Sequence, residues 1–226
     1  MKQMVQKEGA KLFNVNAPDD APPSLPRLVL LTKDGMNLNI CLDRYDLTLT
    51  PPDHVADSLD EVLDYLRSIF ERFVGILIND IVAYRWMGIV LSIEYPESSK
   101  SSKTAIEAVT PTFHKLTNIR LEDRPLRSFR LMYGYEEYGF FFTIAVEGFE
   151  QRDILIPVPT GEAEPKDIDV ADHPISSLGV QIVHDVNNKP GPKQNPLEDF
   201  AKILDCHRTN VKHLPEKLGI NSVISR

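Results

Sequence analysis

The segment SLDEVLDYLRSIFERFVGIL, residues 58–77, decides the fold class of this chain. Ser58 followed by Glu61 has the form of a capping box, in which the serine oxygen accepts one helix amide proton and the glutamate binds the serine amide. Apolar residues then recur at helical spacing: Leu59, Val62, Leu63, Leu66, Ile69, Phe70, Phe73 and Leu77. Because such a stripe is stabilised only against a sheet or another helix, we predict a core helix over residues 58–77.

A second helix is predicted over NPLEDFAKILDCHRTNVKHL, residues 195–214. Asn195 is a favourable N-cap, Pro196 suits the first helical position, and Glu198 follows three residues after the cap. The apolar stripe of this helix comprises Leu197, Phe200, Ala201, Leu204, Val211 and Leu214. Two long amphipathic helices of this kind need a common core.

Strand patterns surround the two helices. Asp34-Gly35 separates two apolar runs, which predicts a hairpin, and a further turn at Asp43-Arg44 completes a three-stranded meander. Four more strands are predicted at about 84–95, 128–135, 140–149 and 178–186, and a short helix that begins at Thr104 should be kinked or ended by Pro111 near Thr110. Hairpins in place of repeated strand-helix-strand units predict an α+β fold, with a largely antiparallel sheet and both long helices on one face.

The domain boundaries follow from composition and element order. Residues 1–26 are polar and contain four prolines, which predicts a flexible N-terminal arm. Residues 27–220 then form a single α+β domain, whose halves 27–96 and 120–217 share an element order that suggests a duplicated meander-plus-helix unit. The acidic, proline-rich segment 157–176 is predicted to be a long loop.

The same loop contains Asp167, Asp169, Asp172 and His173, which are oxygen and imidazole groups that can bind a divalent metal. A glycine-poor acidic loop is more often a disordered insertion, and we predict neither a metal nor a cofactor. The two cysteines, Cys41 and Cys206, are too few for a disulfide framework and are predicted to be reduced.

The charge and hydropathy of the chain exclude some classes of function. The 25 basic and 33 acidic side chains give a net charge of −8, which disfavours sequence-independent nucleic-acid binding. No apolar run reaches the length of a membrane span, and the N-terminus lacks the pattern of a signal peptide. We therefore expect a cytoplasmic protein with no membrane contact.

A family resemblance rests on several of these segments. The Asp34-Gly35 meander, the capped helix, the strand entry Arg85-Trp86-Met87-Gly88-Ile89 and the helix after Asn195 together resemble a sporadically distributed bacterial family of unknown function. The resemblance spans most of the chain from residue 27 and implies a bacterial origin and an α+β fold. It implies no catalytic residues. This chain departs from the family pattern because two residues separate Arg85 from Gly88 and an apolar strand follows.

Two groups of residues are candidate partner-binding sites. The first is an arginine segment, in which guanidinium groups can hold phosphate or carboxylate, although Glu122 and Asp123 would neutralise part of it. The second is the sheet face opposite the helices, where exposed aromatic residues would form an interface centre unless residues 104–116 cover it. These candidates comprise Arg120, Arg124, Arg127 and Arg130 in the first group, and Trp86, Val90, Phe141 and Phe149 in the second.

Two histidine motifs argue less for catalysis. Cys206-His207 has the composition of a thiolate nucleophile, but adjacent helical residues point about 100° apart and do not meet. His184-Asp185 has the composition of a base and its orienting acid, but neighbours on a strand point to opposite faces. A hydrogen-bonded structural histidine is the simpler interpretation of His184.

We therefore predict a non-catalytic, cytoplasmic interaction protein of bacterial type that binds a protein partner or its own copy. The alternative is an enzyme or RNA-processing factor acting on a phosphodiester, with a site assembled from Arg120, Arg124 and His114. No local motif supports that chemistry.

Overall fold

The strands that the structure describes form two antiparallel sheets of four strands each. The structure, a computed structural model, describes residues 11–15, 18–32, 36–56, 58–77, 84–97, 103–117, 129–153, 173–218 and 220. The chain divides into two compact units. The first comprises Met1–Arg85 with Gly191–Leu204, and the second comprises Trp86–Pro190 with Asp205–Arg226.

The sheet of the first unit is an antiparallel meander with the strand order β1-β2-β3-β4. Leu30 and Leu38 face each other across β2 and β3, and both are fully buried. β1 lies within the predicted N-terminal arm and pairs with β2 as an edge strand. The bounds are β1 Lys11–Asn14, β2 Leu28–Leu31, β3 Asn37–Ile40 and β4 Tyr45–Thr48.

The long helix after Ser58 is present, and a short helix that was not predicted precedes it. α1 spans Asp53–Ala56 and α2 spans Leu59–Leu77. The Ser58 hydroxyl accepts from the Glu61 amide at 3.5 Å, but the Ser58 amide donates to the Val55 carbonyl rather than to Glu61. Half of the predicted capping box is therefore present, because α1 supplies the other partner.

α4, Pro196–Val211, is capped by Asn195, whose side chain accepts from the Glu198 amide at 3.3 Å. Within the first unit, Phe200 of α4 stacks on Phe70 of α2 with ring centroids 3.8 Å apart. The division between the units falls inside this helix, since residues up to Leu204 belong to the first unit.

The sheet of the second unit has the strand order β5-β8-β7-β6, in which all neighbours are antiparallel. Tyr138 and Gly139 connect β6 to β7 with φ angles of 49° and 85°, as expected for a tight hairpin turn. β5 begins at Gly88, later than predicted, because Tyr84 pairs with Lys193 in the first unit. The bounds are β5 Gly88–Pro96, β6 Arg130–Glu137, β7 Phe140–Arg152 and β8 Ile175–Asn188.

The sheet of the second unit has a packed face and an outward face. Residues directly opposite each other on antiparallel strands share a face, so the registers assign each side chain. Helices α3, Ala105–Thr117, and α5, Leu214–Leu218, lie against the packed face. Its core comprises Val109, Ile144, Val146, Val180, Ile182, Leu214 and Leu218.

α3 does not end near Thr110, so of the two outcomes predicted at Pro111, termination is wrong. The helix continues to Thr117 with Pro111 inside it. Val109 and Thr112 are buried, and Pro111 itself is exposed. Packing on the sheet therefore outweighs the loss of one backbone hydrogen bond at the proline. The close approach requires Gly148 of β7, where a Cβ would lie 2.6 Å from the Ala105 carbonyl oxygen.

The α+β class and the antiparallel strands are confirmed, but the prediction of one sheet is corrected to two. β5 pairs with β8, which lies more than eighty residues later, rather than with the meander. Local patterns define strands, whereas long-range pairing assigns them to sheets. None of the described helices is both long and apolar enough to cross a membrane.

Candidate functional site

Asp185 lies at the middle of the outward face. It is opposite Val90 on β5 and Thr143 on β7, and the Asn187 side-chain amide donates to its Oδ1 at 2.6 Å. Burial raises the pKa of Asp185, and the hydrogen bond from Asn187 acts in the opposite direction. A cation placed beside this half-buried carboxylate would offset its desolvation.

Exposed apolar side chains surround Asp185 on the same face. Val90 is 63% exposed, Met132 is 62% exposed and Phe141 is 42% exposed. Trp86, which precedes β5, is 55% exposed. The outward face therefore combines an acidic centre with an apolar surround, and two of the predicted partner-binding residues, Trp86 and Phe141, are available to a partner.

The acidic side chains on the outward face differ in whether a cation lies beside them. Arg130 pairs with Glu147 at 3.4 Å, while the Lys189 ammonium pairs with Glu136 and lies 5.8 Å from the centre of the Phe141 ring. Asp185 hydrogen-bonds to the neutral amide of Asn187. Likewise, Glu94, on the same face of β5, accepts from the neutral amide of Gln151 at 2.8 Å. Among the residues that the structure describes, these contacts leave two carboxylates without compensation by a cation, so this part of the face is acidic.

The predicted cover of this face lies elsewhere. α3 packs on the opposite, packed face through Val109. Phe149 is 8% exposed, and its ring lies over Gly179, where a Cβ would be 2.9 Å from the Phe149 Cε1 atom. Phe149 therefore fills the sheet surface at Gly179 and does not belong to the exposed apolar group.

Most of the predicted arginine segment lies outside the described residues. Arg120, Arg124 and Arg127 are in that part of the chain, so the structure does not place them. Arg130 begins β6, and its side chain is 64% exposed. His114 is an exposed residue of α3. The proposed phosphodiester site of Arg120, Arg124 and His114 thus remains a prediction.

A buried histidine pair lies within the second unit. Nδ1 of His184, on β8, is 2.8 Å from Nδ1 of His207, on α4, and both residues are 0% exposed. Nε2 of His207 is 3.2 Å from the carbonyl oxygen of Ile89. Burial lowers the pKa of His184 to about 4, and burial followed by the neighbouring His184 lowers the pKa of His207.

These contacts determine the tautomers of the neutral pair. A carbonyl oxygen only accepts, so His207 carries its proton on Nε2 and its Nδ1 accepts from Nδ1–H of His184. His184 Nε2 is then an unprotonated nitrogen, and it has no hydrogen-bond partner in the part of the chain that is described. The arrangement holds β8 to α4 and does not present a base to an open cleft.

The two histidine motifs have separate environments. His184 points into the packed face and Asp185 to the outward face, as the strand alternation predicts. Burial, and then the carboxylates of Asp205 and Glu137, raise the pKa of Cys206. A raised thiol pKa opposes the nucleophile hypothesis for Cys206.

Metal binding has little support in the residues that the structure places. Within them, no group of three or more His, Cys, Asp or Glu side chains is arranged to hold an ion. Of the four candidate ligands in the acidic segment, only His173 is described. The predicted loop 157–176 lies outside the described residues up to residue 172, and its last two residues begin β8.

The pairing of His184 with His207 was not predicted from the sequence. The sequence does contain a signal, because each histidine lies at a position where the periodicity of its strand or helix predicts a buried apolar residue. His184 alternates with Ile182 and Val186 on β8, and His207 lies one helical turn from Ile203 on α4.

Comparison with protein-family models, with curated proteins and with solved structures finds no match to this chain.

Proposed function

We propose that this protein is a non-catalytic binding module that uses the outward face around Asp185 to bind a protein partner. The observation that carries the proposal is the acidic centre at Asp185 among exposed Val90, Met132 and Phe141. Interface centres typically combine apolar anchors with a few polar groups that fix orientation.

The chemistry of the face indicates the kind of partner. A lysine or arginine side chain can place its charged group beside Asp185 while its aliphatic part covers Val90 or Phe141. Glu94 and the net charge of −8 also favour a positively charged partner. Two copies of this face would bring like carboxylates together, so a second protein with basic and apolar contact residues is the proposed occupant.

The test compares capture by the wild-type chain, by the double variant Val90→Ser/Phe141→Ala, and by the control Leu42→Ser. Leu42 is 72% exposed in the first unit, so its replacement removes a similar apolar surface away from the face. Each tagged full chain is incubated with a lysate of its native cells, and bound proteins are quantified by mass spectrometry. We expect a partner that the control retains and the face variant loses.

The partner is then purified, and its affinity for each chain is measured directly. Equal capture by the wild type and the face variant would contradict the proposal. A parallel incubation with ribonuclease separates the alternative function, because proteins held through RNA are lost after digestion. A capture that disappears with ribonuclease and is unchanged in the face variant would favour the RNA hypothesis instead.

A further inference from the structure

β6 is an edge strand with little protection against pairing. Among the strands that the structure describes, it pairs with β7 alone. Proteins usually block such edges with prolines, bulges or central charges. β6 has no proline, its charged residues lie at its two ends, and the five residues from Leu131 to Tyr135 are uncharged. Its free edge is therefore a template for another strand.

The β6–β7 turn determines which backbone groups lie on this edge. In a two-residue turn with positive φ at Tyr138 and Gly139, the flanking residues Glu137 and Phe140 form a hydrogen-bonded pair. The backbone groups of Glu137 therefore point toward β7, and those of alternate residues point the other way. The backbone groups that point away from β7, toward the unshared edge of β6, belong to Arg130, Met132, Gly134 and Glu136.

We propose that a second copy of this chain pairs with β6 in antiparallel register, about a two-fold axis at Tyr133. A two-fold axis perpendicular to the sheet keeps each face on its own side, so residues of the same face meet. Arg130 then lies opposite Glu136 of the second copy, and Leu131 lies opposite Tyr135. Met132 meets Gly134, and Tyr133 meets its own copy.

Charge and apolar complementarity favour this register. This register forms the Arg130–Glu136 pair twice on the outward face of the sheet and apolar contacts on the packed face. A shift by two residues in one direction places Glu136 opposite Met132, and a shift in the other direction leaves Glu136 beyond the paired segment. The present pairs Arg130–Glu147 and Glu136–Lys189 are surface contacts, each worth only about 0–1 kcal/mol, so both can rearrange.

The affinity of this contact should be modest. One pair of eight-residue strands is small beside a standard protein interface, so we expect a reversible dimer that forms with rising concentration. The test is sedimentation velocity of the full chain from low to high micromolar concentration at physiological ionic strength.

Charge reversal gives the decisive variants. Arg130→Glu and Glu136→Arg should each weaken the dimer by about tenfold or more, because each places like charges opposite one another twice. The double variant Arg130→Glu/Glu136→Arg should restore the dimer. An equal mixture of the two single variants should form a heterodimer, because every acidic position of one then meets a basic position of the other.

The control is Glu137→Arg, which makes the same change in charge but faces no residue of the partner's β6 in the proposed register. It should leave the dissociation constant unchanged. Met132→Pro removes a backbone amide that points toward the second copy. It should abolish the dimer while the monomer remains folded. If this variant unfolds, the charge-reversal variants still test the proposed pairing.

A monomeric mass at every concentration would overturn the proposal. A dimer whose dissociation constant does not respond to either charge reversal would overturn it too. Met132 belongs to both surfaces, but Asp185 lies on β8, which β7 separates from β6, so substitution of Asp185 should not change the dimer. Failure of the edge contact and failure of the proposed function are therefore distinguishable.

Discussion

His184 and His207 share one hydrogen bond between their Nδ1 atoms, 2.8 Å apart, in the interior of the second unit. His184 donates and His207 accepts, so Nδ1 of His207 must be unprotonated, and burial disfavours a positive charge on either ring. This requirement links the stability of the second unit to pH.

We expect the free energy of unfolding to fall as the pH decreases from about 6.5 to about 4. The folded pKa of His184 is lowered from 6.5 to about 4, so the unfolded chain binds more protons in this window and acid favours unfolding. This stabilisation is present above pH 6.5 and is lost toward pH 4. Urea denaturation at a series of pH values measures this loss.

Carboxylates also titrate near pH 4, so the matched comparison is with His184→Leu/His207→Phe. That double variant should lack the part of the pH dependence that is due to histidine. The control His114→Gln, at an exposed position of α3, should retain it. A double variant with the same pH dependence as the wild type would show that the pair is not the source.

Replacing only His207 should be worse than replacing both histidines. His207→Phe leaves the Nδ1–H of His184 buried without an acceptor, which costs about 1–3 kcal/mol. Apolar replacement of both rings removes that donor. We expect equilibrium denaturation to show a double variant more stable than the single variant, and the reverse order would contradict the cost of a buried donor without an acceptor.

The stacked rings of Phe70 and Phe200 should contribute strongly to the first unit. Each is almost fully buried, so either Phe→Ala change should lower the free energy of unfolding by about 3–5 kcal/mol. The two losses should not add, because the rings contact each other. Leu197→Ala is the control, since Leu197 is 45% exposed on the same helix. Losses below about 1 kcal/mol for both phenylalanines would contradict this packing.

The turn between β6 and β7 offers a stabilising substitution. Tyr138 adopts a φ of 49° and is 90% exposed, so its side chain adds strain without compensating burial. Asparagine tolerates this conformation better, and Asn-Gly is the preferred sequence for such a turn. Tyr138→Asn should therefore raise the melting temperature, whereas Gly139→Ala should lower it because φ is 85° there. Unchanged melting temperatures in both variants would rule out this turn geometry.

The sequence predicted the elements better than their partners. Period-two patterns located β5 and β7, and the Asn195 cap located the start of α4, because these signals are local. The pairing of β5 with β8 and of His184 with His207 depends on residues far apart in the chain. Periodicity assigns a residue to a buried face but does not identify what that face will meet.

The candidate surface was predicted only in part. Alternation along β5 and β7 placed Val90 and Phe141 on the outward face, and the structure finds both exposed. Asp185 was considered only as a partner of His184. Its position between Val90 and Thr143 depends on the register of three strands, which the sequence does not show.

The deciding measurement is the affinity of the purified partner for Asp185→Lys and Asp185→Asn, compared with the wild type and with Glu71→Lys. Glu71 is an exposed residue of α2, so its variant makes the same charge change outside the outward face. We predict that Asp185→Lys weakens binding by about 100-fold, that Asp185→Asn weakens it less, and that both losses shrink as salt increases. Wild-type affinity in Asp185→Lys at an unchanged melting temperature, or an equal loss in Glu71→Lys, would contradict binding through this face.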